Sequence, residues 1–505
     1  MSASAFEVLG AIVACAGCGA ALLARDPRAR YAAMGIGLAA AAALIAGDVW
    51  DQARFEDLRS EPAALVLALL LGGIALGATA ATFVRVPAAF AIAAFAVLPL
   101  RVPVQVGGET NYLLVPLYGV IAGGWLRAVW LLRSGRAEEL QQQGSPSAKE
   151  TPAVRWLCVA LAVSLVVYAI GVAWSDDPTN GLRNVAFFLA PFAALMALLR
   201  DLRWHRFLVF QVLAATVLVA LAFAALAIWQ YGSRELLLNK DLKDANQLHL
   251  YFRVNSLFRD PNVLGRYLAL AIVATGAWIA WRRPPRQALA GAVVGAVLLA
   301  GLAFTFSQTS FAALVAGLAT LIWFRLGTRG LVAAVAMVAV AAGLFMAAGG
   351  TPESTLENKR DKERQDLAEV SSGRTDLVSG GIDLFERRPL QGWGSGSFAA
   401  SFNKEIEKAT RPISHTDPVT VAAEQGLLGV IPYVAAVLLA IACIARPWPA
   451  ESAARAGVAA CFAALFVHSL GYAGFMIDPA MWALLGLGLA LREPPVRGPP
   501  EASPG

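Results

Sequence analysis

Fifteen apolar runs constrain this chain more than any other feature. They lie at 5–24, 31–47, 62–83, 87–100, 111–132, 155–174, 184–199, 207–231, 263–281, 288–306, 311–326, 330–349, 427–445, 455–474 and 478–491. A helix needs roughly 20 apolar residues to cross a bilayer core, and most of these runs approach that length. In lipid every backbone N–H and C=O must be satisfied within the segment, which leaves the α-helix for runs of this size. The expected fold class is therefore an all-α polytopic membrane protein with about 12–15 transmembrane helices. The run at 87–100, ending in LPLRVPV, is the weakest. Only 15% of residues are charged and 58% are apolar, whereas a soluble domain carries about 25% charge. Abundant Ala and Gly suit close helix packing in lipid. The start, MSASAFEVLG, lacks a basic leader, so the first run is expected to remain as a helix.

Charge then orients the runs. The basic loops 25–30, 133–155, 200–206, 282–287 and 325–329 all fall on one side of the expected topology. The positive-inside rule makes that side cytoplasmic. The alternate loops 48–62, 175–180, 232–262 and 350–426 then face outward. The net charge of +6 reflects these topology signals and implies no nucleic-acid partner. The five cysteines lie in apolar runs. Cys15 and Cys18 form a CxxC without a second pair or a nearby His, a packing pattern with no expected metal site or cofactor. No solenoid repeat or inverted transporter repeat is evident.

Two outward loops hold most of the candidate chemistry. In RVNSLFRDPNVLGRYLAL (253–270), DPN reads as a turn, and Asp260 and Asn262 as caps of the next helix. Arg253 and Arg259 precede that turn. Arg266 falls one turn inside the helix, where it either snorkels to the interface or meets an anionic ligand. His249 is a weaker candidate nearby. In the long loop, ENKRDKERQDLAE reads as a solvated helix of mixed charge. Leu377, Ile382, Leu384 and Phe385 have helical spacing and predict one buried face. Arg374 would lie in the first turn of that helix, a poor place for a cation unless an anion occupies it. QGWGSGSF reads as a flexible turn able to approach a ligand closely. His415 precedes a short amphipathic run that leads into the next span, and an ordinary imidazole pKa near ~6.5 suits proton transfer. His205 and His468 read as structural.

Three stretches carry a family resemblance: RVNSLFRDPNVLGRYLAL (253–270), SGRTDLVSGGIDLFERRPLQGWGSGSF (372–398) and SHTDPVTVAAEQGLLGVIPY (414–433). In order and position they resemble the motifs of the bacterial O-antigen ligase/O-antigen polymerase superfamily over about residues 205–490. The sequence differs where FSQTSFAAL has Thr309 and Ser310 in place of an Arg, and where Thr416 follows the loop His in place of Asn. The resemblance implies a GT-C-like helical bundle. Extra helices would occupy 1–86 and a transmembrane core 87–349. A large catalytic loop would span 350–426, C-terminal helices 427–492 and a cytoplasmic tail 493–505.

The resemblance also implies a metal-independent, inverting glycosyltransferase in the bacterial inner membrane. It would move a glycan from undecaprenyl diphosphate to lipid A–core or another surface acceptor on the outer face. A polymerase of the same superfamily is the sibling alternative, and a lipid-linked glycan transporter the alternative from another class. By correspondence, Arg253 and Arg374 would hold the diphosphate, with Arg259 and Arg266 as helpers. His415 would be the base. Glu424 would orient His415 or an Arg, or cap a helix.

Overall fold

The computed structural model describes the chain apart from residues 1–2, 51–59, 107–108, 137, 139, 141–150, 238–241, 244–245, 247–251, 282–283, 348–376, 407–415, 447, 449–450 and 493–505. The helices are α1 (Ala5–Leu23), α2 (Pro27–Trp50), α3 (Pro62–Arg85), α4 (Pro87–Val97), α5 (Val115–Arg133) and α6 (Pro152–Gly171). Then come α7 (Pro178–Arg200, with a π-helical turn at Asn184–Leu189), α8 (Arg206–Ser233), α9 (Pro261–Trp281), α10 (Pro285–Ala303) and α11 (Gln308–Ala347). A short α12 (377–387) and α13 (Phe398–Glu405) precede α14 (Asp417–Ala445), α15 (Ala453–Ser469) and α16 (Pro479–Ala490). Eight of these helices begin at a proline. At that position the fixed φ suits the helix, and the missing N–H would have had no intrahelical partner.

Eleven helices among the described residues are long and apolar enough to cross a membrane, with α4, α15 and α16 as shorter apolar helices. The chain is a multi-pass, all-helical membrane protein. Exposed apolar side chains such as Leu69, Ile74, Leu218 and Val315 form the outward face that lipid would cover.

Two expected span boundaries appear as breaks at glycine, and one expected span is shortened. The runs at 311–326 and 330–349 are two helical segments of α11 that meet, as expected, at a break at Gly327, where φ 69° and ψ −170° take the backbone out of the helix. The 87–100 run yields an 11-residue helix. At 1.5 Å per residue it spans roughly half a bilayer core. After it the chain forms the one hairpin among the described residues, β1 (Val102–Val106) against β2 (Glu109–Leu113), antiparallel with Val102 opposite Leu113. Finally, α14 comprises the short run expected after His415, here starting at Asp417, and beyond a break at Gly426 the span expected from 427.

The N-terminal helices are built into the bundle. α1 packs on α2, α6 and α7, and Arg183 of α7 meets Asp48 of α2 at 3.1 Å. Seven helices close a ring: α4 packs on α5, α5 on α7, α7 on α16, α16 on α15, α15 on α9, α9 on α8, and α8 back on α4. Inside lies a cavity of 3050 Å³ that follows the helices from one end of the bundle to the other. Its middle is apolar, lined by Val212, Leu213, Leu270, Ala274 and Leu484. Arg101, Arg266 and Asp478 stand at one mouth, and Arg200, Arg203 and Arg455 at the other.

Candidate functional site

The segment 389–398 is a docked strap. Trp393 N–H donates to the Ala423 carbonyl at 3.0 Å and Gly394 N–H to that of Glu424 at 2.8 Å. Ser395 N–H donates to the Gly171 carbonyl at 3.1 Å. Ser175 and Asn180 reach back to the carbonyls of Ser395 and Gly396 at 2.9 and 2.7 Å. The Glu424 carboxylate accepts from Gly396 N–H at 2.8 Å and Phe398 N–H at 3.1 Å, so it caps α13 and closes the strap. Gly394 has φ +95° and Gly396 φ +82°. A Cβ on Gly396 would lie 2.5 Å from the Gly181 nitrogen, and one on Gly394 would run into Ser175. The glycines expected to approach a ligand are instead spent on contact with neighbouring backbone. Beneath the strap Leu384, Trp393, Phe398, Phe402 and Ala423 form a small separate core.

Helix α12 buries Leu384 as expected, but Ile382 is exposed. The buried stripe runs through 377, 380, 381 and 384, the i, i+3, i+4, i+7 spacing. Gly380 and Gly381 occupy two of those positions, and a Cβ on Gly380 would overlap Phe402. Hydropathy does not register glycine as a packing face.

The second part of the site gathers around the N-terminus of α9. Asp260 caps it, accepting from Asn262 N–H at 2.6 Å. Asn262 has a different job from the cap expected of it. Its Oδ1 accepts from Ser307 Oγ at 2.7 Å and from Arg253 Nη2 at 3.4 Å. Arg253 also donates through Nε to the Thr305 carbonyl at 3.0 Å, and Asn246 clamps its backbone at both ends. Ser307 continues to Ser310 at 2.8 Å, and Ser310 and Thr309 meet His468 Nε2 at 3.3 and 3.4 Å. Thr309 and Ser310, where the superfamily pattern has an Arg, are thus part of a buried hydrogen-bond chain that ends on His468.

One turn along α9, Arg266 does not snorkel outward. It is 8% exposed and pairs with Asp478 at 2.5 Å. Asp478 also caps α16 through Ala480 N–H at 2.7 Å. Tyr472 donates to Asp260 at 3.0 Å, and burial together with the Asp260 charge holds its phenol well above the usual range. Asp417 accepts from Gly474 and Phe475 N–H at 2.7 and 3.0 Å, which ties the start of α14 to the α15–α16 turn.

Of the residues singled out from sequence, the structure brings Arg253 and Arg266 to one end of α9, Arg253 held by Asn262 and Arg266 by Asp478. Arg259 lies exposed on the turn between them. Glu424 sits with the strap, occupied by two backbone N–H groups. Arg374, His415 and His249 lie outside the described residues, as does the 357–369 run. Sequence reading missed Asp417, Asp478, Tyr472 and Arg101. A signal for the aspartates was present: Asp177, Asp260, Asp417 and Asp478 each precede a proline. Each sits at a helix start, and Asp478 lines the cavity mouth that carries Arg266.

Because Glu424 satisfies two buried donors, Glu424→Ala is expected to cost about 2 kcal/mol, and Glu424→Gln about half that, since one acceptor survives. Thermal unfolding in detergent reads this out.

Residues 295–434 match the family model described as O-antigen ligase. The match runs from the end of α10 through α11, the strap and the first half of α14. It contains Arg374, His415 and Glu424 and stops short of Arg253, Arg259 and Arg266. No curated protein matches the chain. The three stretches that resemble that superfamily, two of them within the matched segment, appear here on a multi-pass helical bundle, and the matched segment supports a place in the O-antigen ligase superfamily.

Proposed function

We propose that this protein is a membrane glycosyltransferase that moves a glycan from undecaprenyl diphosphate to an acceptor hydroxyl on the outer face of the inner membrane. The observation that carries the reading is Arg266 at one mouth of an apolar cavity, on the end of α9 where Asn262 holds Arg253. An amphiphile with a long apolar chain and an anionic head fits that arrangement. The chain would lie between α8, α9 and α16, and the diphosphate at the arginine mouth. The basic loops at the opposite end support an outward-facing site.

The chemistry follows from these groups. The acceptor O–H attacks the anomeric carbon and a base takes its proton, a role for His415. The bond from that carbon to the phosphate oxygen breaks, and the electron pair leaves on the diphosphate. One displacement inverts the anomeric centre. The negative charge gathering on the leaving group needs fixed cations, and a guanidinium grips phosphate oxygens in a bidentate fork. Arg253 and Arg374 would supply that grip, with Arg259 and Arg266 assisting. Glu424 would act indirectly, by fixing the strap that follows the Arg374 segment. Lipid A–core is the acceptor favoured by the family relationship.

Purified protein supplied with a lipid-diphosphate glycan and candidate acceptors tests the assignment. A ligase adds one glycan per acceptor molecule. A ladder growing on the lipid carrier would make the protein a polymerase with a second lipid-linked unit as acceptor. Absence of any new glycosidic bond would refute both.

A further inference from the structure

We infer that Arg101 is a phosphate-binding residue which, with Arg266, grips the diphosphate of a lipid whose chain occupies the cavity; this rests on the function proposed above and adds a donor-binding residue to it.

Arg101 reaches the site through the shortness of α4. That helix ends at Val97, and the chain turns through Leu98 and Pro99, both lining the cavity, before it enters β1. Arg101 lines the same mouth as Arg266 and Asp478. Its Nε is closed off from solvent and has no hydrogen-bond partner among the described residues.

Most of the nearby carboxylate oxygens are already committed. Asp478 uses one oxygen for Arg266 and the other for Ala480 N–H. Asp260 uses one for Asn262 N–H and the other for Tyr472. Asp417 holds the Gly474 and Phe475 N–H groups through Oδ1. Arg101 therefore brings a second guanidinium to a mouth where the first already has its carboxylate. Burial and the Arg266 charge both push Arg101 below its ordinary value, yet guanidinium remains protonated.

A partly buried cation whose charge Asp478 offsets only in part is stabilised when an anion joins it. Two guanidinium groups facing one apolar cavity select a phosphate-bearing amphiphile, because each fork can take two phosphate oxygens. A lysine at 101 would keep the charge and lose the fork.

The test uses full-length protein in proteoliposomes, with wild type, Arg101→Gln, Arg101→Lys and Arg253→Ala compared. Transfer kinetics are measured with a polyprenyl-diphosphate glycan, and melting temperatures with and without undecaprenyl diphosphate or phosphatidylglycerol. Arg101→Gln is expected to raise the donor KM about tenfold or more with a smaller change in kcat, and to abolish stabilisation by undecaprenyl diphosphate. Arg101→Lys should recover part of both. The unliganded melting temperature of the Lys variant reports whether the fold survives. An unchanged donor KM and unchanged stabilisation in Arg101→Gln, with Arg253→Ala impaired, would overturn the Arg101 assignment and leave the function standing. Equal stabilisation by phosphatidylglycerol, lost in the same variant, would make this a phospholipid site and overturn the assignment. No transfer by wild type would instead overturn the proposed function.

Discussion

Transfer is expected to fall about a hundred- to a thousandfold in Arg253→Ala, and by a comparable or larger factor in His415→Ala, with different signatures. Arg253 is preorganised: its Nε is fixed by the Thr305 carbonyl, its Nη2 by Asn262, and its backbone by Asn246. A cation held in that way needs no reorganisation as charge develops on the leaving diphosphate, which is where such groups contribute most. Arg253→Ala should therefore weaken both donor binding and the chemical step. Arg253→Lys should restore little, because an ammonium cannot reproduce the fork. Loss of the Thr305 bond costs only about 1 kcal/mol of stability, so the folded protein should persist. On the proposed mechanism, His415→Ala would remove the proton acceptor and leave the diphosphate contacts in place. It should lower kcat while the donor KM stays within about threefold of wild type. Both variants can be compared in one proteoliposome assay. A raised donor KM in His415→Ala with unchanged kcat would reassign that histidine to binding.

Gly394→Ala is expected to produce the largest loss of stability, about 3–5 kcal/mol, from two additive causes. The residue has φ +95°, a region that L side chains rarely adopt. A methyl group there would also collide with the backbone of Ser175, and no flexible side chain is available to yield. The strap joins the α6–α7 turn to the start of α14, so its release would free Glu424 and expose the small core around Trp393. Thermal unfolding and protease sensitivity near residue 394 read the effect. A melting temperature equal to that of wild type would show that the strap is not held as described.

The membrane body was legible in the sequence because hydropathy needs only length and composition. Charge asymmetry added an orientation for the same reason. The turn chemistry of α9 was half legible. Asp260 caps as its DPN context implies, while Asn262 turns toward Ser307 and Arg253, partners that only the folded chain brings near. Arg266 illustrates the same limit: its place one turn inside a helix left outward and inward readings open, and Asp478, distant in sequence, decided between them. Arg101 is hidden in the sequence because the apolar run continues to residue 100 while the helix ends at Val97. The glycines of 392–396 were seen, but their use was not, because the backbone they touch belongs to residues 171–181 and 423–426. Ile382 and Gly380 show hydropathy failing where packing space, not side-chain polarity, sets the buried face.

The proposed reaction breaks a lipid diphosphate–glycan bond at one mouth of the cavity. The most direct measurement is the yield of free undecaprenyl diphosphate against glycan joined to acceptor, with purified protein in proteoliposomes. The account predicts one lipid diphosphate released per glycan transferred, with both products falling together in Arg253→Ala. Donor that crosses the bilayer with its glycosidic phosphate bond intact, and no release of lipid diphosphate, would contradict it.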